Sequence, residues 1–184
     1  MSARHEVRGS GAMGFLSTKP TIIITTLHDT GVVNAGVFGA YTNVSPTQVA
    51  VAVATPSDTY KNILREKEFA INVPGADIVK TLKVIASGIP PDRSEVEEAG
   101  LTIGKSVVIR TPGIAECAAC CEFVFEKEIP IGHHSLLIGK VEGGWIREEF
   151  LDSDGKIDIF KARVLKDYKY PKPLYMLPGE VVEG

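Results

Sequence analysis

The chain has no apolar run near the ~18 residues that a membrane-spanning helix requires. It also lacks an excess of charge of one sign. Lys and Arg number 20 against 23 Asp and Glu, for a net charge of −3. Phosphate backbones need a clustered positive surface, so nucleic acid is not an expected partner. Cysteine is scarce. Cys117, Cys120 and Cys121 are the only three, close together, and an odd, clustered set is not a disulfide framework. Met1 to Gly14 is polar and glycine-rich, without the apolar stretch of a secretory signal. It is read as a flexible segment (residues 1–14) ahead of one domain over 15–184, and the protein is expected to be cytoplasmic. No internal repeat occurs.

What is present is ordinary globular composition, 44% hydrophobic and 23% charged residues in 184. A chain of that length buries roughly two thirds of its unfolded surface without staples. Strand patterns dominate. Thr21 to Leu27 is β-branched and apolar, and His28-Asp29-Thr30-Gly31 is a turn signal. In Gln48 to Ala54, Val49, Val51 and Val53 alternate with Ala50, Ala52 and Ala54, which predicts a strand covered on both faces. Glu68 to Val73 alternates, as does Glu122 to Glu128, where Phe123 and Phe125 oppose Glu122 and Glu126. Ser135 to Val141 continues through a break or bulge at Glu142-Gly143-Gly144 into Trp145-Ile146-Arg147. Helices are predicted over Ser57 to Lys67, over Ile78 to Ala86 with Ile78, Leu82 and Ile85 on one stripe, and over Ser94 to Ala99 with a Ser94/Glu97 capping box. Strands outnumber helices and do not alternate with them strictly, so an antiparallel barrel with inserted helices is expected rather than a doubly wound sheet. The Tyr-, Pro- and Lys-rich extension from about Asp167 is expected on a surface.

The stretch from Asn34 to Asn62 carries the most chemistry. Asn34-Ala35-Gly36-Val37-Phe38-Gly39-Ala40-Tyr41 reads as a small-residue loop, where a planar heterocycle can approach the backbone. A buried strand follows, and a helix opens at Ser57-Asp58-Thr59. The unpaired N–H groups of a helix start suit a phosphate, with the hydroxyls of Ser57 and Thr59 and the charges of Lys61 and Arg65 nearby. The plainer alternative is that Ser57 or Asp58 only caps the helix.

Here the chain resembles the flavin reductase-like and flavoredoxin family of FMN-binding proteins. The resemblance rests on Pro20 to Thr26, Gly31, Asn34, Val44-Ser45-Pro46, Asp58-Thr59-Tyr60-Lys61-Asn62, Glu68-Phe69-Ala70-Ile71-Asn72, Cys121-Glu122 and Gly132 to Val141, and covers roughly residues 19 to 147. It implies a fold between all-β and α+β: a six-stranded antiparallel Greek-key split β-barrel with inserted short helices, forming a homodimer. It implies that Asn34, Phe38, Gly39, Ala40 and Tyr41 lie along the flavin, that Ser57, Thr59 and Asn62 hold the phosphate end, and that His134 acts near the flavin or nicotinamide. Ser57, Val37, Gly39 and His133 depart from residues common in the family, which often has Lys, Pro, Ser and Asp there.

The implied activity is NAD(P)H:FMN oxidoreduction, with NADH or NADPH as donor. The alternatives are a flavoredoxin-type FMN electron carrier serving a redox protein partner, and a barrel that has lost flavin binding. His133 and His134 also have a bland reading, exposed or locally hydrogen-bonded at a strand start. Adjacent strand residues point to opposite faces, so one pocket is not expected to receive both. Cys117-x-x-Cys120-Cys121 enters a strand rather than a tight turn, so these residues are read as small buried apolar side chains rather than metal ligands. Asp152-x-Asp154-Gly155 is read as a turn, because the other ligands of a calcium loop are missing.

Overall fold

A computed structural model describes residues 19–168 and 172–183. In chain order the strands are β1 (Lys19–Pro20), β2 (Ile22–Leu27), β3 (Val33–Phe38), β4 (Tyr41–Ser45) and β5 (Gln48–Ala54), followed by helix α1 (Asp58–Glu66) and β6 (Glu68–Val73). Short helices α2 (Leu82–Ile85) and α3 (Glu95–Glu98) precede the long strands β7 (Ala119–Ile131) and β8 (His134–Ile146), and β9 (Lys166–Asp167) and β10 (Tyr175–Met176) come last. Seven strands form one antiparallel sheet in the order β3-β2-β6-β7-β8-β5-β4, and β1, β9 and β10 form a small second sheet.

The two edges of the large sheet, β3 and β4, are consecutive in sequence, with only Gly39 and Ala40 between them. Counted as one bent strand, they reduce the seven to the expected six. The sheet therefore stays open while a single segment joins its rims, which is the architecture of a split barrel. The expectation of a loop over Asn34 to Tyr41 is corrected. Asn34 to Phe38 pairs residue for residue with β2, from Thr26↔Asn34 to Ile22↔Phe38. Small side chains there serve close packing instead. A Cβ on Gly36 would stand 2.8 Å from the Phe38 ring and 3.5 Å from Thr59 Oγ1.

The alternations explain the layers. Ile22 and Ile24 of β2, the three valines of β5, Phe69, Phe123 and Leu137 pack inside the barrel with Ile63 of α1. Ile23 points the other way, joining Val33, Leu82, Ile85 and Val96 under the helical excursion. The 78–86 stripe is buried as expected, but on a 3₁₀ turn (Ala76–Ile78) followed by α2 rather than one helix. Gly31, at φ +83°, closes the β2–β3 turn, where its N–H donates to His28 O at 2.9 Å. The irregularity expected near Glu142 is a bulge in the β7–β8 ladder, and β8 runs on to Ile146.

The capping box at Ser94 does not form. Ser94 makes no cap hydrogen bond and its buried hydroxyl is without a partner, whereas the buried Glu95 accepts from the Ala35 N–H at 2.9 Å. Of the extension from Asp167, Asp167 itself and Tyr175 lie in the small sheet, with Tyr168 exposed. The segment 1–14 and Tyr170 lie outside the described residues. No helix among the described residues is long and apolar enough to cross a membrane.

Candidate functional site

The expected site residues gather at one end of the barrel. Ala40 at the bend accepts from the Ala52 N–H at 2.9 Å, which ties the rim-joining segment to β5. On β5 the valines face the core, so Ala50, Ala52 and Ala54 face outward, and Ala52 and Ala54 are only half-buried. The last of them, Ala54, pairs with His134, and the next residue, Thr55, donates its N–H to His133 O at 3.1 Å. Three positions further along, α1 begins. The bend at Gly39-Ala40, the alanine face, the helix start and His134 thus surround the end of one strand. His133 and His134 are both exposed.

Ser57 is the N-cap. Its hydroxyl accepts from the Tyr60 N–H at 3.2 Å and donates to Ala54 O at 2.7 Å. The capping alternative for Ser57 is thus what forms, and a capped helix still leaves the N–H groups of Asp58 and Thr59 without intrahelical partners. Asp58 places a carboxylate in that first turn, paired with Lys61 at 3.1 Å. Arg65 turns to the other end of the helix, where its guanidinium donates to Leu27 O and to Asn62 Oδ1.

Asn34, Thr59 and Asn62 are each less than 5% exposed. Asn34 Nδ2 donates to Thr26 Oγ1 at 2.9 Å and Thr59 Oγ1 at 3.1 Å, and Asn62 Nδ2 donates to Thr26 Oγ1 at 3.0 Å. The network pins α1 against β2 and β3, and His28 lies at its edge, 3.4 Å from Asn62 Nδ2. Buried amides left unpaired cost of order 1–3 kcal/mol each, so this network fixes the position of the helix start. Phe38 and Tyr41 are half-buried against the inner core. Burial raises the Tyr41 phenol above its ordinary value, with a smaller contribution from Cys121.

Sequence reasoning missed a second polar cluster next to this end. Tyr60 donates its hydroxyl to Glu128 at 2.7 Å, and Ser135 donates to the same carboxylate at 2.6 Å. Only the adjacency of Ser135 to His134 hinted at it. The Ser135 and then the Tyr60 hydrogen bonds hold Glu128 below the usual carboxylate range. A depressed carboxyl stabilises the fold above its unfolded value and loses that contribution as pH falls through its folded value. Acid titration of the melting temperature is therefore expected to show a drop below about pH 4 that is smaller in Glu128→Gln. Identical acid profiles would remove Glu128 from the account.

Cys117 and Cys120 are buried, as expected, and Cys121 is exposed, which was not. Burial raises the Cys117 thiol and pushes Cys120 up to about 12. No group of three or more His, Cys, Asp or Glu among the described residues is placed to hold a metal ion. Alkylation of the native protein near neutral pH is expected to reach Cys121 alone, and all three thiols after denaturation. Rapid native labelling of Cys120 would contradict this packing.

An open antiparallel sheet with joined rims and a helix start beside the join defines the protein as a split barrel of the flavin reductase type. The profile of the flavin reductase like domain matches residues 13–175, and the chain belongs to that family. An uncharacterised protein of Halalkalibacterium halodurans is 33% identical over 159 residues, covering 79% of this chain and 76% of the relative. Among solved structures, nitrilotriacetate monooxygenase component B from Bacillus cereus superposes with a TM-score of 0.86 at 25% identity, over 100% of this chain and 98% of that one. Flavoredoxin from Methanosarcina acetivorans gives 0.85 at 18% identity, over 100% and 95%, a likeness of fold.

Proposed function

We propose that this protein binds FMN at the barrel end described above and is an NAD(P)H:FMN oxidoreductase. The observation that carries the reading is the outward alanine face of β5, lying between the bend at Gly39-Ala40 and the start of α1. Large side chains there would crowd a flat ring system, whereas Ala52 and Ala54 are small and only half-buried. FMN, when bound, supplies the hydride chemistry itself. The protein's part is to bind and orient. The N–H groups of Asp58 and Thr59 suit the phosphate, with the helix dipole behind them. Lys61 offsets the charge of Asp58 in that turn. Asn34 and Asn62 hold Thr59 and the helix in place. Phe38, Gly39, Ala40 and Tyr41 border the ring, and His134 stands where it can position a donor or deliver a proton. A homodimer in the cytoplasm, with a nicotinamide cosubstrate and no nucleic-acid or membrane partner, completes the reading.

The test is the absorption spectrum of the purified protein with micromolar FMN, then with NADH or NADPH added without oxygen. Flavin bands perturbed on binding and bleached by the nucleotide are the expected result. Perturbed bands that no nucleotide bleaches indicate the carrier, a flavoredoxin-type protein. Absence of FMN uptake defeats both. Thr59→Ala is expected to weaken FMN binding about fivefold and to destabilise the fold by about 1 kcal/mol, the worth of one buried neutral hydrogen bond. Unchanged FMN affinity takes Thr59 out of the site and leaves it an anchor of α1.

A further inference from the structure

A cavity of about 710 Å³, bordered by Phe38 and Gly39 but by none of the β5 alanines, lies beside the outer cluster that includes Val37 and Leu82. Its floor is the outer end of the β2–β3 pair, at Thr21 and Val37. Leu82 and Ala86 on and just after α2 form one wall, and Pro173 and Tyr175 of the C-terminal ribbon form the other. The size falls in the range of small-molecule sites, ~300–1,000 Å³. The lining is apolar apart from its charged rim and two hydroxyls. One of these belongs to Thr21, which is 4% exposed and whose Oγ1 makes no hydrogen bond. A buried hydroxyl without a partner is uncommon and costs stability until something pairs with it.

The rim is one-sidedly charged. Lys80 and Lys83 approach from the α2 side and Lys172 from the ribbon, against the single carboxylate of Asp167. None of the three lysines makes an ion pair among the described residues, although eight such pairs occur elsewhere. Their stems extend the apolar lining while their ammonium groups stay in water at the mouth.

We propose that this cavity is a second binding site, for a small organic anion with an apolar ring body, its ring between Leu82, Val37 and Tyr175 and its acidic group among Lys80, Lys83 and Lys172. The inference goes beyond the flavin reading and does not require it. The two sites share only the segment at Phe38-Gly39, so an occupant of the cavity sits next to the flavin seat without filling it.

The probes are 8-anilinonaphthalene-1-sulfonate and the neutral N-phenyl-1-naphthylamine, which has the same ring body without the sulfonate. Both are titrated by fluorescence into the full-length folded protein. One saturable sulfonate site per chain is expected, at least tenfold tighter than the neutral probe. In the combined variant Lys80→Gln, Lys83→Gln, Lys172→Gln the two probes are expected to bind equally. Ala86→Trp, at an exposed position on the wall, is expected to abolish sulfonate binding with an unchanged melting curve. FMN is titrated separately, and again with saturating sulfonate present. Unchanged FMN affinity supports two sites. Displacement of the sulfonate by FMN overturns the proposal and makes the cavity part of the flavin seat. Equal binding of the two probes by the unaltered protein, or sulfonate binding that survives Ala86→Trp, also overturns it. No sulfonate binding by a protein that takes up FMN overturns this proposal alone, and failure to take up FMN leaves it standing.

Discussion

Phe69→Ala is expected to destabilise the protein by about 4 kcal/mol, the middle of the range for removing a buried aromatic ring. Phe69, near the start of β6, is completely buried and stacks on Phe123 with ring centroids 5.2 Å apart and planes 13° from parallel. The barrel is shaped around that ring. A Cβ on Gly139 of β8 would stand 2.5 Å from Phe69 Cζ and 3.2 Å from Phe123 Cβ, so the glycine makes room for the stack. The prediction therefore extends to a pair. Gly139→Ala alone is expected to cost about 2 kcal/mol by overpacking. The same change on a Phe69→Ala background is expected to cost much less, because the space is then empty. Urea unfolding of the four proteins measures the coupling. Strictly additive losses would show that ring and glycine do not constrain each other.

Glu122→Ala is expected to cost about 3 kcal/mol and to release one loop. Glu122 is wholly buried in β7, and its carboxylate accepts the N–H groups of Val107 at 2.6 Å, Val108 at 2.7 Å and Ile109 at 3.0 Å. One side chain thereby holds three consecutive amides of a segment with little other regular structure. Hydrogen bonds to a charged group contribute about 1.5–3 kcal/mol each. The side chains of Val107 and Val108 are exposed, so water recovers part of that sum once the loop opens. Amide exchange is expected to accelerate by two orders of magnitude at 107–109 and to stay nearly unchanged in β2 and β6. Uniform acceleration across the barrel would mean that Glu122 supports the whole sheet rather than the loop.

Glu122 also marks the limit of what could be read from the sequence. In Glu122 to Glu128 the alternation assigns Phe123 inward correctly, and by the same logic Glu122 outward to solvent. Outward it is, but the face is covered by a loop from 13 to 15 positions earlier, and nothing local signals that cover. The β5 alternation marked the two faces, because valine and alanine differ enough in size, but the cover expected on both is incomplete, since Ala52 and Ala54 are only half-buried. Asn34 to Phe38 was misread as a loop, since Asn, Ala and Gly have little strand preference of their own and owe their state to β2. The role of Glu95 was not legible for a related reason. Its partner, the Ala35 amide, lies 60 positions away. In the candidate site the helix start and His134 were named from motifs. Their common position at the end of β5 comes from the β5–β8 ladder, and the cavity needs α2 and the C-terminal ribbon, which only the folded chain brings together.

The Glu95–Ala35 contact bears on how this protein behaves in a crowded solution. An unpaired outer strand is a template onto which a foreign strand can add, and proteins avoid this by blocking it. One amide of the rim strand β3, that of Ala35, is already bonded to a side chain, Glu95, and β4 continues from β3 across only two residues. Neither rim begins or ends at a loose chain terminus that could peel away to recruit a neighbour. Part of the guard against strand addition at β3 is thus supplied from the helical excursion, by a side chain that reaches the same segment that shapes the candidate site.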